Sequence, residues 1–326
     1  MKHSLNMIAM AVILILPLSN VALAADYPTK PITLVNPMSP GGSHDVVSRA
    51  FASVADKYLW QAVVVVNKPG ASGMIGMLSV VQATPDGYTL LVDASSAATA
   101  LEWEIANGRT PSFTRNDLIP LGALTMSPAL VVVPYNSPWK TLADLIKDCK
   151  AKPGHYAICS GGLYGASHLP AEILMKATGI KVRHVPYKGG GPCLASLVGG
   201  HEDFATQYPS SSIPLVRGKK LRVLAAQGNR RLKSLPEVPT VKELGIDAEY
   251  NFWLGVAAPK KTPGPIVQKL REVLKKVAED ESFIKMIENQ GDEVRYMGSD
   301  ELVKYAERES AMHAKLYKQL LLEEKK

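Results

Sequence analysis

Short apolar runs rich in β-branched residues alternate along this chain with amphipathic helical stretches, and that alternation constrains the fold most strongly. Several runs are apolar at nearly every position, which is typical of strands covered by helices on both faces of a sheet. The alternation therefore predicts an α/β protein with mostly parallel sheets. The predicted strands are ITLVN from Ile32, AVVVVNK from Ala62, YTLLVDA from Tyr88, ALVVVP from Ala129, YAICSG from Tyr156, VRHVPY from Val182 and LRVLAAQ from Leu221.

The pattern changes after Pro263, where the chain becomes almost wholly helical. In PGPIVQKLREVLKKVAED, Ile266, Leu270 and Val277 lie on one apolar face, so this helix is expected to pack on a sheet. The predicted strands at the start of the chain would form a sheet, and this helix could bury one apolar face of that sheet.

A chain of 326 residues suggests two domains, and no low-complexity linker separates them. We therefore predict two α/β lobes joined by tight crossovers near 121–128 and 249–259. Residues 25–124 and 253–326 are predicted to form a discontinuous first lobe, and residues 125–252 the second. Such crossovers act as a hinge, and ligands favour the cleft between lobes.

Residues 1–24 have the pattern of a secretory signal peptide. Lys2 precedes the apolar run MIAMAVILILPL, which is short for a membrane-spanning helix, and the small residues ALA end at Ala24. Cleavage after Ala24 predicts a soluble product exported to the periplasm.

The charge of the chain does not favour a nucleic-acid partner. Lys and Arg number 37 against 30 Asp and Glu, and the basic residues are mixed with acids along helix-like stretches. Nucleic-acid binding requires a concentrated basic surface with interleaved aromatic residues. A solvated, mixed-charge surface is the better interpretation.

Three cysteines, Cys149, Cys159 and Cys193, leave the redox state open. Their spacing fits no zinc site, and the histidines are scattered, so no metal is predicted. An oxidising compartment permits one disulfide, while burial of free thiols is an equal alternative. A core of this size is not expected to require a disulfide for folding.

Catalytic and cofactor motifs are absent from the sequence. It contains no G-x-S-x-G, H-E-x-x-H, G-x-G-x-x-G or phosphate-binding loop that ends in Lys-Ser/Thr. Ser167 and His168 are adjacent, and neighbouring helical residues point about 100° apart, which suits a catalytic pair poorly. We therefore predict no enzyme activity and no cofactor.

Five small, polar, glycine-rich loops follow predicted strands instead. In α/β folds, ligands bind at the carboxyl ends of strands, where glycines admit a close approach of backbone N–H groups and helix N-termini add partial positive charge. Such loops can hold a carboxylate reversibly. They are SPGGSHD from Ser39, KPGASGMIG from Lys68, DASSAAT from Asp93, SGGLYGASHL from Ser160 and YKGGGP from Tyr187.

Several segments resemble the solute receptors of tripartite tricarboxylate transporters, the Bug or TctC family. The resemblance starts with YPTKPITLVNPMSPGGSHDVVSRA and VVVVNKPGASGMIGMLSVVQATPDGYTLL, continues through ASHLPAEILMKATGI and HVPYKGGGPCLASLVGG, and ends with FWLGVAAPKKTP. It covers nearly all of the chain after residue 24. It implies a type II periplasmic-binding fold, in which two lobes close on an anionic solute.

The resemblance also implies a function and partners. The expected protein is a periplasmic receptor, a monomer, that delivers a carboxylate to one large and one small membrane subunit of a transporter. A periplasmic α/β hydrolase and a ligand sensor for a membrane kinase are the alternatives. Turnover of esters would favour the hydrolase, and the sequence does not separate sensing from transport.

The family motif, placed on this chain, predicts two ligand-binding loops, Ser39–Asp45 and Ser160–His168. Tyr164 stands where the family commonly has a second glycine, and Gly165 stands at a hydroxyl position, which favours an aromatic or less polar acid. Trp253 is expected either to pack at the hinge or to form a pocket wall, and His44 either to donate to the ligand or to face solvent. The candidate ligand-binding residues are Ser39, Gly41, Gly42, His44, Asp45, Ser72, Gly73, Ser95, Ser96, Ser160, Gly162, Tyr164, Gly165, Ser167, His168, Tyr208, Ser210 and Trp253.

Overall fold

A computed structural model describes residues 27–324, except for the side chains of 94–98 and 323–324. The predicted signal peptide lies outside the described residues. The strands are β1 (Ile32–Asn36), β2 (Val63–Asn67), β3 (Thr89–Ala94), β4 (Leu118–Pro128), β5 (Leu130–Pro134), β6 (Ala157–Ser160), β7 (Arg183–Pro186), β8 (Phe204–Gln207), β9 (Leu221–Ala226), β10 (Asn251–Pro259) and β11 (Val294–Gly298). The helices are α1 (Ser43–Leu59), α2 (Met74–Val81), α3 (Ser95–Ala106), α4 (Leu142–Ala151), α5 (Leu169–Thr178), α6 (Gly190–Val198), α7 (Pro209–Arg217), α8 (Gly264–Glu279), α9 (Glu281–Asn289) and α10 (Ser299–Glu324).

The strands form two sheets. The first has the order β11-β4-β10-β3-β1-β2, and the second has the order β7-β6-β8-β5-β9. We call each sheet, with the helices packed on it, a lobe. The first lobe thus draws strands from both ends of the chain, while the second draws them only from the middle.

Strand β5 shows how the second lobe buries both faces of its sheet. Its residues 130–133 are fully buried, and successive side chains alternate between two apolar clusters. Leu130 and Val132 belong to the cluster with α6 and α7, whereas Val131 and Val133 belong to the cluster with α4 and α5. This period of two follows from the pleat of a strand, and it explains the uninterrupted apolar sequence of β5.

The predicted C-terminal helix forms and covers the first sheet. In α8, Ile266, Leu270 and Val277 are buried together in the main core of the first lobe. The stretch after Pro263 is nevertheless interrupted by β11, a short edge strand that sequence periodicity did not reveal.

The two lobes are joined where β4 continues into β5 and where β10 begins. Pro128 pairs with Asn251, and the Ala129 N–H donates to the Tyr250 carbonyl at 3.2 Å. Gln227 of the second lobe binds both segments, through its N–H to Ala129 O (2.7 Å) and its carbonyl to Tyr250 N (2.6 Å). The crossovers therefore form one hydrogen-bonded ribbon, as a hinge requires. The predicted fold of two α/β lobes with hinge crossovers is confirmed.

The expectation of mostly parallel sheets is wrong. Parallel pairing is confined to β1 with β2 and β3, and to β6 with β7 and β8. Strand β10 runs antiparallel to β3 and β4, β11 is antiparallel to β4, and β5 is antiparallel to β8 and β9. A chain that leaves a lobe and returns beside its own exit must run in the opposite direction, so the crossovers impose antiparallel pairs.

The cysteine alternatives are also resolved. Cys159, in β6, and Cys193, in α6, form a disulfide with their Cα atoms 5.6 Å apart, and Cys149 is a buried free thiol. The bridge ties α6 to the central part of the second sheet. Whether folding requires it remains a prediction.

Candidate functional site

Helices α1 of the first lobe and α6 and α7 of the second begin at the boundary between the lobes. They follow β1, β7 and β8, so the carboxyl ends of strands from both lobes face one cleft. The residues that precede the three helices are Gly42, Gly189 and Tyr208, and none of them caps its helix with its own side chain. By contrast, α4 of the second lobe is capped by Thr141. The N–H groups at the start of a helix lack intrahelical partners, so the N-termini of α1 and α6 direct donors at the cleft.

The N-termini of α1 and α6 meet across the cleft through glycines. A Cβ atom at Gly42 would lie 3.2 Å from the Gly190 nitrogen and 3.3 Å from the Gly191 nitrogen. Gly189 has a φ of 153°, and a Cβ there would lie 2.9 Å from the Ser39 nitrogen. Glycine is therefore required on both sides for the backbones to approach this closely.

Direct hydrogen bonds hold the lobes together around this contact. The Ser39 N–H and hydroxyl both donate to the Lys188 carbonyl, at 3.1 and 3.0 Å. Ser43, in the first turn of α1, donates to Ser211 of α7 at 3.0 Å. The structure is thus a closed form of the two lobes.

A small cavity of about 20 Å³ lies inside the closed cleft. This is roughly the space that one water molecule needs, so the lobes must separate to admit any larger ligand. The cavity is lined by Met38, Ser43, His44, Gly161, Ala166, Ser167, Gly189, Gly190, Gln207 and Tyr208.

The cavity lining combines apolar groups with polar side chains, none of them charged. Burial lowers the pKa of His44 to about 3, so its imidazole is neutral at pH 7, and burial raises the pKa of Tyr208 well above its usual range. The Tyr208 ring stacks on Phe252 of β10 at 4.1 Å, and the His44 ring lies 5.2 Å from the same Phe252. The side of the cavity nearest the hinge is therefore aromatic. An anion in the cavity would interact with backbone N–H groups and hydroxyl groups.

Asp45 organises the first loop from inside α1. Its carboxylate accepts from the Gly41 N–H at 3.2 Å, from Asn67 Nδ2 at 3.1 Å and from Arg49 Nε at 3.0 Å. Burial raises the pKa of this carboxyl, but the hydrogen bonds from Arg49, Asn67 and Gly41 outweigh burial and lower it overall. Asp45 thus links the first loop to Asn67 at the end of β2. Its carboxylate accepts the hydrogen bond from the Gly41 N–H, a group that the sequence had suggested as a donor to the ligand.

The second predicted loop is folded by its own hydroxyl and imidazole groups. Ser167 Oγ accepts from the Gly161 N–H at 2.7 Å, and His168 Nδ1 accepts from the Tyr164 N–H at 3.0 Å. His168 Nε2 lies 3.0 Å from Glu172. Both imidazole nitrogens of His168 are therefore directed away from Ser167.

Ser160 lies behind the cavity and is fully buried. Its hydroxyl contacts His184 Nε2 at 2.7 Å and donates to the Gly162 carbonyl at 3.0 Å. Burial and the neighbouring His168 lower the pKa of His184 to about 3. These contacts of Ser160 hold residue 162 of the Ser160–His168 loop in place from its buried side.

The other predicted residues fall in different places. Gly41 and Ser210 line a separate open groove of about 450 Å³ between α1, α6 and α7. Trp253 is fully buried in the first lobe and donates to Glu309 at 3.0 Å, so it packs beside the hinge and does not form a pocket wall. His44 is buried, so of its two predicted alternatives the one in which it faces solvent is wrong.

The second and third loops of the first lobe lie beside the loop that carries Tyr164. Ser72 donates to the Leu163 carbonyl at 2.9 Å, and a Cβ at Gly73 would lie 3.1 Å from the Met38 side chain. The Gly165 N–H donates to the Gly162 carbonyl at 3.2 Å. Helix α3 begins at Ser95, and the side chains of Ser95 and Ser96 lie outside the described part of the chain.

Seven cavity-lining residues are not among the individual candidates, although Ser43, Gly161 and Ala166 lie within the two predicted ligand-binding loops. The YKGGGP loop was recognised as a candidate, but Gly189 and Gly190 were not named, although their run of glycines was the available signal. Gln207 ends β8, a short strand without a clear apolar pattern, so nothing in the sequence marked it. The others are Met38, Ser43, Gly161 and Ala166.

Residues 47–322 match the family model described as the tripartite tricarboxylate transporter family receptor. The chain belongs to this receptor family. It is 35% identical to the protein of the gbd 5′ region of Cupriavidus necator over 87% of this chain and 86% of that protein. It is 32% identical to BugT of Bordetella pertussis, covering 87% of this chain and 89% of the relative. The family that the sequence motifs suggested is confirmed.

Solved structures of receptor-family relatives share the fold. A protein described as a periplasmic transporter has a TM-score of 0.84 at 30% identity and covers 92% of this chain and 98% of its own. The periplasmic binding protein BugD has a TM-score of 0.83 at 28% identity, covering 90% and 98%. An R. palustris protein solved with adipate gives the same TM-score, identity and coverage.

Membrane-spanning helices and metal-binding clusters are both absent from the part of the chain that the structure describes. Within 27–324, no helix is both long and apolar enough to span a membrane. Over the same range, no group of three or more His, Cys, Asp or Glu side chains is placed to hold a metal ion.

Proposed function

We propose that this receptor captures a small carboxylate between its lobes in the periplasm and passes it to a transporter with one large and one small membrane subunit. The observation that carries the proposal is the meeting of the N-termini of α1 and α6 in a cleft whose cavity lining has no charged side chain. Helix N-termini bind anions through their N–H groups and dipoles. Binding a single charge in this way is reversible, as delivery requires.

The hydroxyl groups at the cavity add directional donors. Ser167 uses its oxygen to accept from Gly161, so its own hydrogen is available to donate toward the cavity that it lines. A hydrogen bond to a carboxylate contributes roughly 1.5–3 kcal/mol. Each such bond therefore strengthens binding about ten- to a hundredfold.

Export and the partners follow from family membership and from the sequence. Residues 1–24 are proposed to be removed as a signal peptide, which leaves a monomer in the periplasm. The adipate found with the R. palustris relative supports a carboxylate as the ligand.

A receptor is favoured over a hydrolase by the side chains around Ser167. The nitrogens of His168 contact Tyr164 and Glu172, so the imidazole does not take a proton from Ser167. The Ser160–His184 pair has the distance of a catalytic dyad, but Ser160 is fully buried behind the loop and no substrate reaches it.

The test compares acids with their methyl esters. Native mass spectrometry of the purified protein, followed by denaturation, identifies any acid that co-purifies, and calorimetry then measures that acid and a panel of mono-, di- and tricarboxylates. Binding of an acid, with loss of about tenfold or more in affinity for its monomethyl ester, supports the proposal. Equal affinity for acid and ester, or release of methanol from the ester, contradicts it.

A further inference from the structure

The side chain of Tyr164 crosses from the second lobe to the first. Its ring stacks on Trp103 of α3 with ring centroids 3.5 Å apart and planes 20° from parallel, and Tyr317 of α10 meets it edge-on at 6.2 Å. All three rings are buried. The contact joins the two lobes, so it exists only when the cleft is closed.

The backbone is held in an unusual conformation to place this ring. Tyr164 has a φ of 52°, in the left-handed region that residues with a side chain rarely adopt. The surrounding structure maintains this conformation through the hydrogen bond from the Tyr164 N–H to His168 Nδ1. The ring is thus directed at Trp103 by the fold of the loop.

Residues next to Tyr164 seal the same side of the cleft. Ser72 donates to the Leu163 carbonyl, and a Cβ at Gly162 would lie 2.6 Å from Ser72 Oγ. Gly161 and Ala166, on either side of this short stretch, line the cavity. Residues 162–164 therefore separate the cavity from the KPGASGMIG loop, which carries Ser72, and from α3.

We infer that Tyr164, stacked on Trp103, ends the cleft on this side and makes the receptor selective for short carboxylates. The Tyr164 loop borders the cavity beside the N-termini of α1 and α6, because Gly161 and Ala166 line it. The closed cavity holds about one water molecule, so any acid must hold the lobes further apart than they are here, and a long acid must disturb the stack more than a short one. An aromatic pair of this kind changes an equilibrium constant by about two- to tenfold beyond the burial of its surface, so displacing it lowers affinity for long acids. The inference rests on the proposed carboxylate function and adds the length of the ligand to it.

The experiment measures a length preference in matched variants. Calorimetry with malonate, succinate, glutarate, adipate and pimelate gives the ratio of short-acid to long-acid affinity. Tyr164→Gly removes the ring, and glycine adopts a φ of 52° without strain. Trp103→Leu removes the other half of the stack from the opposite lobe. The matched control is Trp60→Gly, because Trp60 also has a positive φ (57°) but is 86% exposed at the end of α1.

The parent and Trp60→Gly are expected to bind a short acid about two- to tenfold more tightly than pimelate, and Tyr164→Gly and Trp103→Leu to remove most of that preference. Melting curves establish that each variant is folded. If acids bind but the ratio is the same in the parent and in both stack variants, or changes as much in Trp60→Gly, the inference falls and the carboxylate function stands. If no acid binds to any of the proteins, both fall.

Discussion

Replacing Gly42 by valine tests whether the close approach of α1 and α6 is part of the liganded state. Gly42 has a φ of −88° and a ψ of 173°, an extended conformation that valine adopts readily, so the backbone itself is not strained. The new Cβ, however, would lie 3.2 Å from the Gly190 nitrogen and 3.4 Å from its Cα, and both γ-methyl groups would extend further toward the second lobe. The substitution therefore acts on closure of the lobes.

The magnitude follows from the cost of overpacking. Extra methyl groups in a well-packed contact typically cost about 1–3 kcal/mol. Because the clash exists only in the closed form, this free energy is subtracted from binding, which weakens the dissociation constant roughly ten- to a hundredfold. Stability is expected to fall less, by about 1 kcal/mol, because valine is a poorer N-cap residue than glycine.

The assay combines calorimetry on a bound carboxylate, a melting curve and small-angle scattering with and without ligand. Gly264→Val is the control, because Gly264 also lies at a helix start and a Cβ there meets nothing within 4 Å. We expect Gly264→Val to bind and compact like the parent, and Gly42→Val to remain extended at ligand concentrations that close the parent. A Gly42→Val protein that binds as tightly as the parent and becomes as compact would refute the reasoning.

Three further outcomes are expected. Asp45→Asn should lower the free energy of unfolding at pH 7 by about 1–3 kcal/mol, because the charged hydrogen bonds with Arg49 are lost. Since the pKa of Asp45 is lowered in the folded protein, its contribution is present above its ordinary pKa of about 3.9 and is lost as the pH falls further, so parent and variant should converge in acid melting curves. Burial raises the pKa of Glu309 to about 7, so the parent should lose stability as the pH rises from about 4 to 7. Glu309→Gln, which keeps an acceptor for Trp253, should flatten that dependence in melting temperatures at pH 5 and pH 8. Reduction of the Cys159–Cys193 bridge, verified by mass, should leave a folded protein that is less stable by roughly 3–4 kcal/mol, given a sequence separation of 34; an unchanged denaturant midpoint would count against this.

The sequence predicted the fold where strands lie between sharp boundaries. ITLVN corresponds to β1, since Pro31 and Pro37 flank an apolar run that has no helical period. The crossovers lie near 121–128 and 249–259 as predicted, but the sequence did not reveal that most of each segment forms a strand of the first sheet, β4 and β10. Periodicity describes one segment at a time, whereas the place of β10 depends on β3 and β4, which are distant in the chain.

The candidate site was predictable in its loops but not in its contacts. A run of glycines after a strand indicates that something approaches closely, and at Gly42 the approaching group is the backbone of the second lobe. The sequence suggested that Tyr164 favours an aromatic or less polar acid. The partner of its ring is Trp103, on a helix that no local pattern connects with the loop. Contacts between lobes depend on how the lobes close, and that information is distributed over the whole chain.

The place of β10 in the first sheet has a consequence for how the chain folds as it emerges. β10 lies between β3 and β4, so residues 27–128 alone leave β3-β1-β2 and β4 without the strand that joins them. The second lobe needs no strand from outside 130–226 and can complete its sheet first. During synthesis β3 and β4 therefore remain unpaired at their facing edges until residue 259 is available. We expect the contiguous second lobe, which needs no later strand, to fold before the first.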